Sequence, residues 1–488
     1  MTGTLGWLMV AVIAMPLGGA CLPLALDRVR PRLVWPITTI ILIITAVLAA
    51  PLVAATRHGP IHYEIGNIPA SYGIELVADG VSAVLVALTI GVVLGAVIHT
   101  RRAGPTGGAV HSGLLLLTGG TLGISLTGDL FNLYVFLEIS AIASYALIAS
   151  ADSRVSTYAA FKYLILGTIG ASLYLLGVAY VFIATGTLNM AAVAEAFAAV
   201  GYGDPLVVIS FVFVAVGLAI KIALVPVHTW LADAHAMAPD AISAIVSGVL
   251  PAIAVYALAR VALTVFTPEF FLVNPVFGTL LIWGGLATVV GGSIFAILQR
   301  KIKLILAYST VAHMGLAVVG VALATEQALY GALIQLFGHG IAKAGLFLLA
   351  GVIGLVYGAR SLDDYTGLAK RSPLLAAAFA ILGLSLIGLP PTIGFMGKYY
   401  IVIGALEAGS WLVAAVVLAS TLLTVGYIFP IIDRLYFRTP EGEFQEHSPA
   451  PRGTLGTVFI ATALAVILGF VTVPVATAIG PAIEVMFG

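Results

Sequence analysis

The chain has little charge. Only 9% of its 488 residues are Asp, Glu, Lys or Arg, against about 25% in an ordinary soluble domain. That is too little to cover a water-exposed surface, which excludes a soluble fold. Neither sign is in excess, with 21 Lys+Arg against 21 Asp+Glu, and no basic tail or patch marks a nucleic-acid partner. Cysteine is almost missing. Cys21 stands alone, which rules out an intrachain disulfide, a Cys-rich metal site and an iron–sulfur cluster within the chain. No cofactor motif is present, so no cofactor is expected. Long polar stretches are missing as well: the longest, Thr439 to Arg452, is a Pro/Gly/Glu-rich loop. The N-terminus carries no charged n-region, so the first apolar segment is expected to be kept as a span.

What the chain has instead is apolar length. Hydrophobic residues make up 61%, and a span needs about 20 of them in a row. Reading by that rule gives an all-α polytopic membrane protein with about fourteen transmembrane helices in a single transmembrane domain, 1–488. The spans start near Leu5, Trp35, Leu76, Gly113, Leu130, Phe161, Leu206, Ala241, Val276, Leu304, Ala328, Leu374, Trp411 and Leu455. Fifteen Lys and Arg fall in loops on one side if this count holds, from Arg28, Arg30 and Arg32 to Arg434, Arg438 and Arg452. The other side keeps Arg57 and Arg260. The positive-inside rule then puts the basic loops in the cytoplasm and both termini outside.

Two stretches share a plan: spans 4–8, about 110–266, and spans 9–13, about 275–436. In the first, Pro226 follows Lys221; in the second, Pro390 and Pro391 precede Lys398. Proline removes a backbone donor and breaks the helical ladder. Broken helices at matching places, here 7 and 12, point to an ion site with hydrated cavities around it. With five spans per unit, the second copy enters from the opposite side, so the repeats are expected to be inverted.

Four of the 21 basic residues belong to no surface loop, and three of them, Lys221, Lys343 and Lys398, interrupt long apolar runs. Glu138 does the same with the opposite sign. A charge at the bilayer centre costs on the order of 3 kcal/mol, so such groups face the interior, pair, and mark ion paths. Lys221 and Glu138 can be a structural pair, but a buried pair adds little stability. A desolvated lysine readily gives up its proton and a nearby carboxylate opposes this, so a carboxylate that moves is a switch. Lys398 has no acidic neighbour in sequence. Lys343 follows His339 by four residues, on one helix face, and a histidine suits a relay. His313, with Ser309 and Thr310, extends that set. His228, Asp233 and His235 are either a cytoplasmic proton entry or an interfacial anchor with Trp230; their spacing fits no standard metal-ligand set. Lys162 is explained by snorkelling, Asp129 by capping the helix after it, and Glu326, Asp363 and Asp364 by solvated loops.

Six stretches then carry a resemblance: TGDLFNLYVFLEISAIASYAL, FKYLILGTIGASLYLLG, KIALVPVHTWLADAH, KIKLILAYSTVAHMG, HGIAKAGLFLLAG and GLPPTIGFMGKYY. Together they resemble the antiporter-like subunits of respiratory complex I and its relatives, and look most like the D subunit of Mrp-type multisubunit Na+/H+ antiporters. The resemblance implies fourteen helices with two inverted five-helix repeats. It implies that Glu138 pairs with Lys221 on broken span 7, that Lys398 on broken span 12 ends a proton line, and that His313, His339 and Lys343 form its central axis. One departure stands out. Where the family has Thr–Lys in span 8, this chain has Pro251–Ala252, so the link from Lys221 to the central axis needs water, Ser247 or a histidine, or else is weak.

The expected function is therefore a proton-translocating subunit of a multisubunit cation (Na+)/proton antiporter. Glu138, Lys221, Lys343 and Lys398 would move protons, with His228, His313 and His339 as relay. Its partners would be other membrane subunits, H+, Na+ and the lipid bilayer, in the cell membrane of a prokaryote. It would be a secondary transporter subunit rather than an enzyme. The alternatives are a proton-pumping subunit of a redox complex, such as a membrane-bound hydrogenase or a complex I relative, and a scaffold copy with reduced translocation.

Overall fold

A computed structural model describes residues 2–70, 72–439 and 447–487. Residues 440–446 of the polar Pro/Gly/Glu-rich loop lie outside the described residues. Among the described residues, thirteen helices are long and apolar enough to cross a membrane unaided. In chain order they are span 1 (Leu5–Val29), span 2 (Pro31–His58), span 3 (Gly80–Thr100), span 4 (Gly108–Leu126), span 5 (Leu130–Ala149), span 6 (Arg154–Thr185), span 7 (Pro205–Ile222), span 8 (Asp240–Val265), span 9 (Pro275–Ile297), span 10 (Ile302–Ala322), span 11 (Glu326–Tyr357), span 13 (Trp411–Tyr436) and span 14 (Arg452–Phe470). Span 12 is split into Pro373–Ile387 and Ile393–Glu407, too short singly but a full crossing together. Fourteen crossings result, as the apolar pattern predicts.

The chain departs from that pattern outside the bilayer. Leu76, the expected start of span 3, belongs to a strand. Ile61–Glu64 (β1) pairs antiparallel with Glu75–Ala78 (β2) between spans 2 and 3. Alternation of half-buried and buried residues in Glu75–Ala78 suits a two-faced strand. Glu326 is not a loop residue but opens span 11, where a first-turn carboxylate favours the helix dipole. Asp129 caps span 5 by accepting from the Asn132 amide at 2.7 Å, as expected.

Spans 7 and 12 break in the same way. Pro205–Ile222 ends at Ala223 in the left-handed region (φ 66°), and Pro373–Ile387 ends at Gly388 (φ 82°). Each break then carries a cis X–Pro bond, Val225–Pro226 and Pro390–Pro391. After span 7's break the chain re-forms a helix at Leu231–Met237. Neighbour pairing repeats too: spans 4 and 5 pack as a pair, as do 9 and 10, and spans 6 and 7 pack together, as do 11 and 12.

Span 8 is a third interrupted helix. Asp240–Gly248 and Leu250–Arg260 meet at Val249, with Pro251 in the first turn of the second piece. Pro251 has no N–H, so the Ser247 carbonyl loses its helical donor. Span 8 also approaches span 11 closely: a Cβ on Gly248 would sit 2.9 Å from the Gly340 carbonyl of span 11. Only small residues permit such contact between helices in lipid.

Candidate functional site

Lys221 lies in the last turn of span 7's first half. A helix ends with unpaired carbonyls and a partial negative charge, which favours an ammonium there. Its Nζ donates to Glu138 Oε1 of span 5 at 2.7 Å. The Lys221 side chain is 6% exposed and that of Glu138 21%, so the carboxylate is the member nearer the edge of the pair. The Ile220 carbonyl, which at the break accepts from the Ala223 amide at 3.2 Å, also accepts from the Trp230 indole at 2.9 Å.

Lys398 answers the same problem on span 12 with a different group. It sits in the second half, and its Nζ reaches back to the Ile387 carbonyl at 2.8 Å, with Thr421 Oγ1 at 3.4 Å. Among the described residues it has no acidic partner. Beside it lies a cavity of about 10 Å³, lined by Ser293, His313, Lys398, Ser420 and Thr424 with three apolar residues. That is on the scale of one water molecule, and the lining offers it several partners.

Lys343 is fully buried in span 11. Its Nζ is held by the Leu306 carbonyl at 2.6 Å and by Ser309 Oγ, both on span 10. Among the described residues these neutral oxygens are its hydrogen-bond partners, and no carboxylate pairs with it. His339 lies one turn earlier on the same helix, and its ring stands 5.2 Å from that of His313. The Gln335 amide donates to His313 Nδ1 at 2.8 Å. An accepting Nδ1 places the ring proton on Nε2, a nitrogen with no protein partner in this structure. Lys343, His339, His313 and Lys398 therefore form a run of titratable groups from the core to span 12.

The other end of the line is less direct. The structure brings Glu138 and Lys221 together, and Lys343 with the two histidines, but Pro251–Ala252 leaves span 8 without a charge between them. Ser247 Oγ bonds Thr310 Oγ1 at 2.7 Å, tying spans 8 and 10 beside the central lysine. The Ser247 carbonyl released by Pro251 faces the His339 ring. His235, which is not in the relay expected from the sequence, is the residue placed in the gap. It is 1% exposed, neither ring nitrogen has a partner, and it lies close enough to Lys343 and His339 to interact with both electrostatically. On its other side stands Trp230, with ring centres 6.4 Å apart. Trp230 stacks on Tyr163 at 3.8 Å, and Tyr163 meets Tyr145 edge-on at 4.6 Å. This aromatic wall stands between the Glu138–Lys221 pair and His235.

Three expectations are corrected. Trp230 is no interfacial anchor: it is 1% exposed and braces the break in span 7. Lys162 does not simply snorkel; its Nζ meets Asp233 Oδ2 at 2.8 Å, an attraction stronger near a low-dielectric core than in water. Arg260 is not a loop residue. It ends the second helical piece of span 8, pairs with Asp79 of the turn before span 3, and donates to Tyr256 Oη at 2.8 Å. It is a fifth basic group withdrawn from the surface. His228 is buried, with its ring against Phe295 and Nδ1 unpartnered, on the segment between the two halves of span 7. Asp363 and Asp364 remain surface residues. Asp363 meets Arg300 and Arg434, and Asp364 accepts from the backbone at Arg360 and Ser361.

The family model for the NADH:quinone oxidoreductase/Mrp antiporter transmembrane region matches residues 127–424. The chain is 41% identical over 420 residues to the N subunit of NADH-quinone oxidoreductase from Desulforudis audaxviator, covering 84% of this chain and 83% of that one. It is 33% identical over 415 residues to the D subunit of the Na(+)/H(+) antiporter from Alkalihalophilus pseudofirmus, with 84% and 83% covered. Its fold matches a chain of the Mrp complex from Dietzia sp. with a TM-score of 0.89 at 27% identity, covering 99% of this chain and 100% of that one. The higher identity to an N subunit means that the resemblance to antiporter D subunits does not by itself assign this chain to them. Broken spans 7 and 12, with their buried lysines, lie inside the matched region, and the chain belongs to the NADH:quinone oxidoreductase/Mrp antiporter transmembrane family.

Proposed function

We propose that the chain is the proton-translocating membrane subunit of a multisubunit cation/proton antiporter, with Na+ as the exchanged cation and other membrane subunits as partners. It works in the cell membrane of a prokaryote with both termini outside. Residues about 110–266 and about 275–436 form two inverted repeats, each with one broken helix. The observation that carries the proposal is the Glu138–Lys221 pair at 2.7 Å, set at the break of span 7 and facing a run of buried groups that ends at Lys398. A structural role explains that pair poorly, because desolvation offsets most of its attraction.

The physics suggests a cycle. With Glu138 in place, Lys221 holds a proton. When Glu138 turns toward its more exposed side, the ammonium is left desolvated at the end of a half helix and gives the proton up. His235 takes over the position for which the family uses a span-8 lysine, receiving protons past Trp230 and passing them to Lys343. His339, His313 and the small cavity carry them to Lys398, and His228 with the Lys162–Asp233 pair lines the entry. The line needs neither metal nor cofactor, and the subunit is not itself an enzyme.

A specific observation favours a second reading. The 41% identical relative is named a subunit of NADH-quinone oxidoreductase. On this reading the same proton line is driven by a redox arm on partner subunits. Purification of the native complex separates the two. The first reading expects co-purifying membrane subunits without iron–sulfur centres, and Na+-dependent collapse of a pH gradient in vesicles. Iron–sulfur centres reduced by NADH in the purified complex would select the second.

A further inference from the structure

A cavity of about 700 Å³ opens at the end of the bundle that carries most of the basic loops, within the usual size range for ligand sites. Three guanidiniums line it: Arg101 and Arg102 after span 3, and Arg452 at the start of span 14. Among the described residues none of the three has an ion-pair partner. Arg101 instead lies over the Trp35 ring, 4.8 Å from its centre, and Trp35 is pinned by its indole N–H to the Val97 carbonyl at 2.7 Å. Thr454 is also among the lining residues. Its hydroxyl is buried just beneath the cavity surface and has no hydrogen-bond partner, which is costly unless a side-chain shift lets a ligand supply one. Three cations without an ion-pair partner among the described residues, and a stranded hydroxyl, call for an anion with several acceptor oxygens.

The cavity does not end in water on its membrane side. Ile98 lines both it and a second groove of about 410 Å³, which runs along spans 3, 11 and 14. Gly91, Leu94, Phe337, Gly345 and Leu464 are among its walls, and it is almost wholly apolar. Gly91 has open space where a side chain would stand. An anionic head position joined to a long apolar trough at the bilayer edge has the form of one kind of molecule.

We propose that this site binds an anionic glycerophospholipid. Its phosphate lies among Arg101, Arg102 and Arg452, a headgroup hydroxyl or phosphate oxygen pairs with Thr454, and an acyl chain fills the groove over Gly91. Basic pockets between helices on the cytoplasmic side are suited to such headgroups, and a bilayer offers them in excess. The site lies outside the proton line and stands independently of the function proposed above. Its groove backs onto span 11 beside Lys343 through Ile341 and Ala344.

The test is native mass spectrometry of the full chain in its complex, delipidated and then titrated with dioleoyl-phosphatidylglycerol or dioleoyl-phosphatidylcholine. Wild type is expected to retain one phosphatidylglycerol per chain at this site with at least tenfold preference over phosphatidylcholine. Arg102→Gln with Arg452→Gln should bring that preference near unity. Gly91→Leu, whose Cβ would have no neighbouring atom within 4 Å, should reduce retention of both lipids with an unchanged melting temperature. Undiminished phosphatidylglycerol retention in both variants would overturn the proposal. So would full displacement of the lipid by millimolar inorganic phosphate, which would mark an anion site alone. Crosslinking of Gly91→Cys to a neighbouring subunit would overturn it as well, since protein would then fill the groove.

Discussion

Removing Glu138 should destabilise the protein more than removing both Glu138 and Lys221. The pair is 2.7 Å long, so at an effective dielectric of 20 its attraction is about 6 kcal/mol. Desolvation of both ions offsets much of that, and breaking a buried pair from one side costs about 3–5 kcal/mol because the other charge is stranded. The two sides are not equal. Lys221 is 6% exposed and Glu138 21%, so Glu138→Ala strands the more buried charge and should cost about 3 kcal/mol. Lys221→Ala strands a carboxylate with some access to water and should cost less. The double variant strands nothing and should return to within about 1 kcal/mol of wild type. Reversible unfolding in mixed micelles measures this cycle, and proton transport in vesicles made from the same preparations separates stability from function. All three variants should fail to translocate, the double variant included. A Glu138→Ala protein as stable as wild type would refute the energetics, and a double variant that still transports would refute the switch.

His235→Gln should lower proton flux on the order of a hundredfold or more, the scale of a lost proton-transfer group, without loss of assembly; full flux would remove His235 from the line. Gly248→Ala places a Cβ 2.9 Å from the Gly340 carbonyl and should cost about 1–3 kcal/mol by overpacking, with slower transport, measured by the same unfolding and flux assays. The hairpin between spans 2 and 3 should show a pH window of its own. The hydrogen bond to Glu75 raises the His62 pKa above 6.5, and the same bond lowers that of Glu75 below 4.5. The His62 contribution is complete below its unfolded value and fades as pH rises through its raised folded value. The Glu75 contribution is complete above its unfolded value and fades as pH falls through its lowered one. Amide protection in Ile61–Glu64 and Glu75–Ala78 should therefore peak between about pH 4.5 and 6.5 and lose its decline at higher pH in His62→Gln, while the decline toward acid persists in part because Asn189 also donates to Glu75.

The fold was legible where the bilayer dictates it. Apolar length marks fourteen crossings, and prolines mark two of the breaks, because lipid permits few other solutions. The buried lysines and Glu138 were legible for the same reason, as charges that lipid does not tolerate. What escaped the sequence was pairing at a distance. Arg260 reads as a loop residue until Asp79, 181 positions away, is seen beside it, and Lys162 reads as a snorkelling side chain until Asp233 appears 71 positions on. Trp230 looked like an interfacial belt residue because its indole partner is a carbonyl released by the helix break. The role of His235 was hidden by the same limit: its place between Trp230 and Lys343 follows from how span 7 turns back. Pro251 could have been read further, since a proline four residues after Ser247 must free that carbonyl.

Proton movement along the buried charges is the centre of this account. The most direct test is the pH-gradient assay in everted vesicles carrying the assembled complex with Lys221→Ala and Lys398→Ala together, subunit content being checked on the same membranes. The account predicts normal assembly and no proton movement. Wild-type proton movement in that double variant would contradict it and leave the chain a scaffold.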